Sequence, residues 1–137
     1  MRKLSQQQRE ELLKAARAAG KNSYSPYSQF RVGAAILAGK EIHLGTNVEN
    51  ASYGLTLCAE RSAFASLISS GSKEKIRAIA ITCIDAKKGA PDELMPCGAC
   101  RQWIMELAPD AEVIVDRIPR SFTARDLLPK AFRLKAG

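Results

Sequence analysis

Three cysteines and one glutamate in two short segments have the residue types and spacing of a hydrolytic zinc site. They are Cys58 and Glu60 in the first segment, and Cys97 and Cys100 in the second. Three thiolates can hold zinc tetrahedrally with the fourth position open to water, whose pKa the metal lowers. Glu60, two residues from a ligand, is placed to take the proton of that water. A zinc-activated water with a non-ligating Glu is the pattern of nucleobase deaminases.

Two other interpretations of these cysteines need to be weighed. Cys97 and Cys100 alone could form a redox pair before a helix, but this leaves Cys58 and Glu60 unexplained. A structural zinc site would be closed by a fourth Cys or His. The spare cysteine, Cys83, lies in an apolar segment that favours a buried, inert thiol. The catalytic, open zinc site is therefore the favoured interpretation.

Length and composition predict one globular domain over residues 1–137. Hydrophobic residues make up 46% of the chain and charged residues 26%. No apolar run approaches the ~18–20 residues of a membrane span, and the first residues lack the apolar core of a signal peptide. We expect a cytoplasmic protein without membrane contact.

The net charge of +7 does not by itself indicate a nucleic-acid partner. The basic residues are scattered without a run of five, and only 6% of residues are aromatic. Polynucleotide sites usually combine a basic groove with stacking aromatic side chains. The charge is better interpreted as a solvated surface.

Helices alternate with apolar strands along the chain, which predicts a layered α/β domain with helices on both faces of a mixed sheet. The first helix is expected to start at Ser5, with Gln8 completing a capping box. The predicted helices are 5–19, 58–70, 98–107 and a short one after Thr123, and the predicted strands are 30–37, 41–45, 76–84 and 111–115.

The two cysteine segments fall where a loop enters a helix. The partial positive charge of a helix N-terminus favours thiolate over thiol, so two helix starts side by side would bring the three sulfurs together. Zinc with three thiolates carries a net charge of −1, which opposes ionisation of a bound water. Arg61 is placed to donate hydrogen bonds to the ligand sulfurs and to withdraw some of that charge.

Five segments together resemble the small homotetrameric cytidine deaminases, and the resemblance runs nearly end to end. They are 25–35 (SPYSQFRVGAA), 45–55 (GTNVENASYGL), 58–61 (CAER), 96–102 (PCGACRQ) and 127–132 (LLPKAF). The resemblance implies a three-layer αβα sandwich with a mixed sheet of about five strands, and one zinc ion per subunit. The chain departs at Lys130, where the family often has Gly.

The resemblance also implies roles for individual residues. Phe30 would stack on the pyrimidine, and Asn47 and Glu49 would bind the ribose hydroxyls. The backbone of Ala59, together with Glu60, would read the Watson–Crick edge of the base. The remaining residues would complete the pocket of a homotetramer: Ala51 and Tyr53 near the sugar, with Tyr53 from another subunit, and Phe132 over the base from a neighbouring subunit.

The predicted reaction is hydrolysis of cytidine and 2′-deoxycytidine to uridine and 2′-deoxyuridine with release of ammonia, a step of pyrimidine salvage. A nucleoside is expected rather than a nucleotide, because the ribose loop offers Glu49 and no cluster of Arg or Lys for a phosphate. Two alternatives remain open: a deaminase of aminonucleoside antibiotics such as the blasticidin type, and a non-catalytic zinc-stabilised scaffold.

Overall fold

The structure is a computed structural model, and it describes residues 3–136. Ser5 caps the first helix and forms the expected capping box with Gln8. The helices are α1 (Gln6–Gly20), α2 (Ala59–Ser69), α3 (Gly98–Leu107) and α4 (Ala124–Leu127); the strands are β1 (Val32–Ala38), β2 (Glu41–Thr46), β3 (Ile76–Cys83) and β4 (Glu112–Val115). Two short 3-10 helices at Tyr53–Leu55 and Pro91–Leu94 interrupt the predicted loops.

The four strands form one mixed sheet in the order β2-β1-β3-β4. β1 is antiparallel to β2 and to β3, whereas β3 and β4 are parallel. The mixed sheet is confirmed, but it has four strands in residues 3–136 instead of about five. Beyond β4, Phe122 makes a single antiparallel bridge to Val113. Thr123 then caps α4, so the chain leaves the extended conformation before a fifth strand can form.

Helices cover both faces of the sheet, as the three-layer prediction requires. On one face, Leu12 and Ala16 of α1 pack with Ala35 of β1 in a small cluster. On the other face, Ala34 and Ile36 of β1 join Phe64 of α2 in the larger cluster. The alternation along β1 follows from the two-residue period of a strand. In the part of the chain that the structure describes, no helix has the length and apolarity that a bilayer crossing requires.

Gly45 fixes how closely α2 approaches the sheet. A Cβ atom at this position of β2 would overlap the backbone of Ala59 and Ala63 in α2. The missing side chain therefore lets the first turn of α2 lie directly on the strand. Because α2 begins at the cysteine motif, this contact sets the position of one half of the proposed metal site.

The side chain of Asp116, directly after β4, is hydrogen-bonded to both α1 and β3. It accepts hydrogen bonds from Arg17 Nε (2.9 Å) and Nη2 (2.8 Å) of α1 and from Thr82 Oγ1 (2.8 Å) of β3. Burial raises the pKa of Asp116, but the hydrogen bonds from Arg17 and Thr82 outweigh it and leave the pKa below its usual value. The charged form is therefore stabilised by folding.

We expect Asp116→Asn to lower the free energy of unfolding at pH 7 by about 1–3 kcal/mol, because Arg17 loses its charged partner. Since the folded pKa is depressed, the contribution is present above the unfolded pKa of about 3.9 and is lost as pH falls through the folded pKa. Urea unfolding at pH 7 and pH 3 measures this. The exposed Asp110→Asn serves as control, and an equal loss at both pH values would contradict the prediction.

Candidate active site

Two helix N-termini hold the cysteine motifs, as the sequence predicts. Cys58 is the N-cap of α2 and Cys97 is the N-cap of α3, both with extended backbone, and neither thiol makes a capping hydrogen bond. Capping therefore does not occupy their sulfurs, which remain available as ligands of a metal. Cys100 follows in the first turn of α3, and its side chain is completely buried.

The three sulfurs converge on one point. Cys97 Sγ lies 3.7 Å from Cys58 Sγ and 3.4 Å from Cys100 Sγ, and all three atoms lie within 4.8 Å of one another. Zn–S bonds of about 2.3 Å in a tetrahedron place sulfurs about 3.8 Å apart. The donor set therefore fits zinc. Within residues 3–136, no His or carboxylate joins these three thiols as a potential ligand. The fourth coordination position of a bound metal would therefore be open.

The fourth cysteine is not part of this cluster. Cys83 Sγ points at the carbonyl oxygen of Glu93, 3.5 Å away. Burial raises the pKa of the Cys83 thiol to about 12, so it stays protonated at neutral pH. Cys83 lies outside the group of three thiols within 4.8 Å of one another, which argues against a structural site closed by Cys83. The convergence of Cys58 with Cys97 and Cys100 also disfavours a simple redox pair.

Arg61 lies where the sequence places it, beside the ligand sulfurs. Its Nη2 donates to Cys58 Sγ at 3.2 Å. Hydrogen bonding from Cys100 is the largest cause that lowers the pKa of Cys58, to about 5. Burial opposes this shift, and Arg61 and Cys97 lower the pKa further. Cys58 is therefore a thiolate at neutral pH, which is the form that binds zinc.

We expect Arg61→Ala to reduce turnover about 10- to 100-fold while zinc content falls much less. Without the guanidinium, more charge stays on the Cys58 sulfur, and the metal becomes a weaker Lewis acid. Steady-state assays on protein of measured zinc content test this, with the exposed Arg125→Ala as control. Unchanged turnover in Arg61→Ala would contradict the role.

Glu60 is buried in the first turn of α2, with 4% of its surface exposed. Burial raises the pKa of its carboxyl group to about 7. A group with such a pKa can both accept and release a proton near neutral pH. This is the property that the predicted proton shuttle requires.

A cavity of about 180 Å³ lies next to the sulfurs. In addition to the cysteines, four of the predicted residues line it. These are Phe30, Asn47, Ala59 and Glu60. The sequence reasoning missed most of the other lining residues: Val32, Thr56, Ile81, Glu93 and Met95, together with Cys83, which was expected only to be buried. Ile81 and Cys83 are two residues apart in β3 and therefore face the same side of the sheet. This period could have indicated from the sequence that the two residues lie together.

Asn47 and Glu49 are buried and already bonded within the chain. Asn47 Nδ2 donates to Phe30 O (2.8 Å), and its Oδ1 accepts from Val32 N (2.9 Å). Glu49 Oε1 accepts from the N–H groups of Tyr27 (3.0 Å) and Ser28 (3.1 Å), and its Oε2 accepts from Ser28 Oγ. One N–H of Asn47 and one lone pair of Glu49 Oε2 are left for a ligand. Their contact with ribose stays a prediction.

Four of the predicted substrate-binding residues do not line this chain's own cavity: Glu49, Ala51, Tyr53 and Phe132. Ala51 is exposed, and the side chains of Tyr53 and Phe132 are 82% and 72% exposed. The carbonyl oxygen of Phe132 accepts a hydrogen bond from Gln102 (3.0 Å), which holds the C-terminal segment against α3. Two residues earlier, Lys130 has a φ of 54°, the left-handed conformation that Gly adopts without cost.

Comparisons with known proteins agree with this site. Residues 6–116 match the family described as the cytidine and deoxycytidylate deaminase zinc-binding region. A cytidine deaminase of Halalkalibacterium halodurans is 45% identical over 130 residues, covering 90% of this chain and 93% of that protein. The fold is similar to the crystal structure of cytidine deaminase from Burkholderia pseudomallei, with a TM-score of 0.81, 41% identity and coverage of 94% and 100%.

Proposed function

The chain belongs to the cytidine deaminase family of zinc enzymes, and we propose that it hydrolyses both cytidine and 2′-deoxycytidine, releasing ammonia, as a step of pyrimidine nucleoside salvage. The observation that carries this proposal is the convergence of three cysteine sulfurs with the buried Glu60 at the wall of one cavity. A scaffold protein would have no use for a buried carboxyl group with a pKa near 7 beside an open metal position.

Cys58, Cys97 and Cys100 would hold the zinc, which when bound would lower the pKa of a water molecule and supply an oxygen nucleophile at neutral pH. Glu60 accepts a proton from the attacking water and delivers it to ring atom N3 as the C4–O bond forms. It then transfers the second water proton to the 4-amino group. The C4–N4 bond breaks, ammonia leaves, and C4 keeps the oxygen as a carbonyl group.

Four further residues would bind and orient the nucleoside. Phe30 stacks on the pyrimidine face, and the free N–H group of Ala59 at the start of α2 donates to the base edge. Asn47 and Glu49 use their remaining donor and acceptor for the ribose hydroxyls. These roles are supported by the cavity position of Phe30, Asn47 and Ala59.

The active form is a homotetramer, in which neighbouring subunits complete each pocket. Support comes from large apolar side chains that stay exposed on one chain, above all Tyr53, Leu55, Phe132 and Leu134. Apolar groups in such number are typical of a surface that is covered in an assembly. Sedimentation equilibrium is expected to give four times the 14.9 kDa of one chain. A monomer that is fully active would contradict the shared pocket.

The most informative assay compares cytidine, 2′-deoxycytidine, their 5′-monophosphates and adenosine on protein of known zinc content. We expect activity on the two pyrimidine nucleosides and little on the others. No cluster of basic side chains lines the cavity within the described residues, so a phosphate would lack a charged partner. Activity confined to the monophosphates would overturn the nucleoside assignment and leave the zinc chemistry in place.

A further inference from the structure

Ser28 is hydrogen-bonded to both Glu49 and Phe30, which are proposed to bind different parts of the nucleoside. Its hydroxyl donates to Glu49 Oε2 and at the same time accepts the backbone N–H of Phe30, with a Phe30 N to Ser28 Oγ distance of 3.0 Å. Its own N–H donates to Glu49 Oε1 (3.1 Å). One side chain thus links the carboxylate proposed for the ribose to the backbone of the ring proposed for the base.

The geometry around Ser28 depends on the residue that follows it. Gln29 has a φ of 57°, a left-handed conformation that is uncommon for a residue with a side chain. This turn lets the Ser28 hydroxyl reach the N–H group two residues further on, as in other Ser/Thr turns. The turn is closed by Gln29 N, which donates to Ser25 O at 2.9 Å. Glu49 anchors the turn from the interior side through Tyr27 and Ser28.

We propose that Ser28 is a positioning residue that holds Glu49 and Phe30 as one unit, so that the sugar-binding carboxylate and the base-stacking ring keep a fixed relative position. This inference rests on the proposed function. Two backbone N–H groups hold Glu49 Oε1, and the Ser28 hydroxyl holds Oε2. Without this contact at Oε2 the carboxylate would be freer to rotate and would lose more rotational entropy on binding ribose. Asn47 holds the other side of the same segment through Phe30 O and Val32 N.

Ser28→Ala removes the link and keeps the backbone N–H groups that bond to Glu49 Oε1. We expect kcat/KM for cytidine to fall about 10-fold, the scale of one hydrogen bond to a charged group, mainly through KM. The value of kcat stays within about 3-fold, because Glu60 and the metal ligands are not in contact with Ser28. Zinc content and melting temperature are measured in parallel to show that the variant is folded.

A substrate without the 2′- and 3′-hydroxyls separates positioning from a general loss of structure. For 2′,3′-dideoxycytidine, which lacks the 2′- and 3′-hydroxyls and keeps the 5′-hydroxyl, the loss in Ser28→Ala is expected to shrink to about 3-fold or less. Ser28→Thr keeps the hydroxyl and is expected to restore most of the cytidine KM. The matched control is Ser25→Ala in the same turn, because the Ser25 hydroxyl bonds to Ser23 and not to Glu49 or Phe30.

The outcomes distinguish this inference from the proposed function. Wild-type protein that does not deaminate cytidine would overturn the proposed function itself. If the wild type is active, equal losses in Ser28→Ala on cytidine and 2′,3′-dideoxycytidine would overturn this inference and leave the proposed function in place. The inference would also fail if Ser28→Ala behaved like Ser25→Ala, or if Ser28→Thr were as impaired as Ser28→Ala.

Discussion

Glu60→Gln is expected to keep its zinc and its fold and to lose at least about 10³-fold in turnover of cytidine. Glutamine has nearly the same shape as glutamate, but its amide cannot accept and return a proton. Burial already raises the pKa of Glu60 to about 7, so replacing it by a neutral group removes a charge that is costly to bury. We therefore expect the free energy of unfolding to stay the same or to rise.

The measurement is ammonia release under saturating cytidine, with zinc determined on the same sample. Glu11→Gln, on the exposed side of α1, is the matched control and should be unchanged in rate and zinc content. Turnover of Glu60→Gln within about 10-fold of the wild type would contradict the assignment of the proton shuttle, because a general acid–base residue contributes more than this. Loss of zinc in this variant would indicate that Glu60 is a zinc ligand, and it would contradict a ligand set made of the three cysteines.

Cys97→Ser is expected to reduce zinc from about one ion per chain to a small fraction and to abolish activity. Serine does not ionise near neutral pH, so only two thiolates would remain for a metal that needs three protein ligands in such sites. Cys97 is exposed, so the substitution costs little packing and its effect is specific to the metal. Zinc content is measured by atomic emission after removal of loosely bound ions.

The control for this prediction is Cys83→Ala, which removes the one cysteine of the chain that is not a predicted zinc ligand. We expect its zinc content to equal that of the wild type, because Cys83 Sγ faces the carbonyl oxygen of Glu93. Full zinc in Cys97→Ser, or zinc loss in Cys83→Ala, would contradict the ligand set.

The metal site could be predicted from sequence because its determinants are local. The starts of α2 and α3 follow from motif and helix signals, and the cysteines at these starts need only the two helices to lie side by side. The run of apolar residues in β3 likewise identified a strand covered on both faces, which the structure confirms. The resemblance implied about five strands, whereas the apolar segments of the sequence predicted the four that form. The chain does not form a fifth strand after β4, because Thr123 ends the extended segment early.

The substrate pocket was less predictable because its residues come from distant parts of the chain. Thr56 and Glu93 have no periodic pattern that places them in one cavity. The internal hydrogen bonds of Asn47 and Glu49 depend on how the turn at 25–29 folds back, and the left-handed conformation of Gln29 is not visible in its residue type. The prediction that one domain spans residues 1–137, and the roles of residues from other subunits, stay predictions.

X-ray absorption at the zinc K-edge of the purified protein counts the atoms bound to the metal and distinguishes sulfur from lighter ligands. We expect three sulfur atoms at about 2.3 Å and one lighter oxygen or nitrogen atom at about 2.0–2.2 Å. A shell of four sulfurs would mean that Cys83 closes the site and leaves no position for water. Fewer than three sulfurs would mean that the cysteines at the starts of α2 and α3 do not hold the metal together.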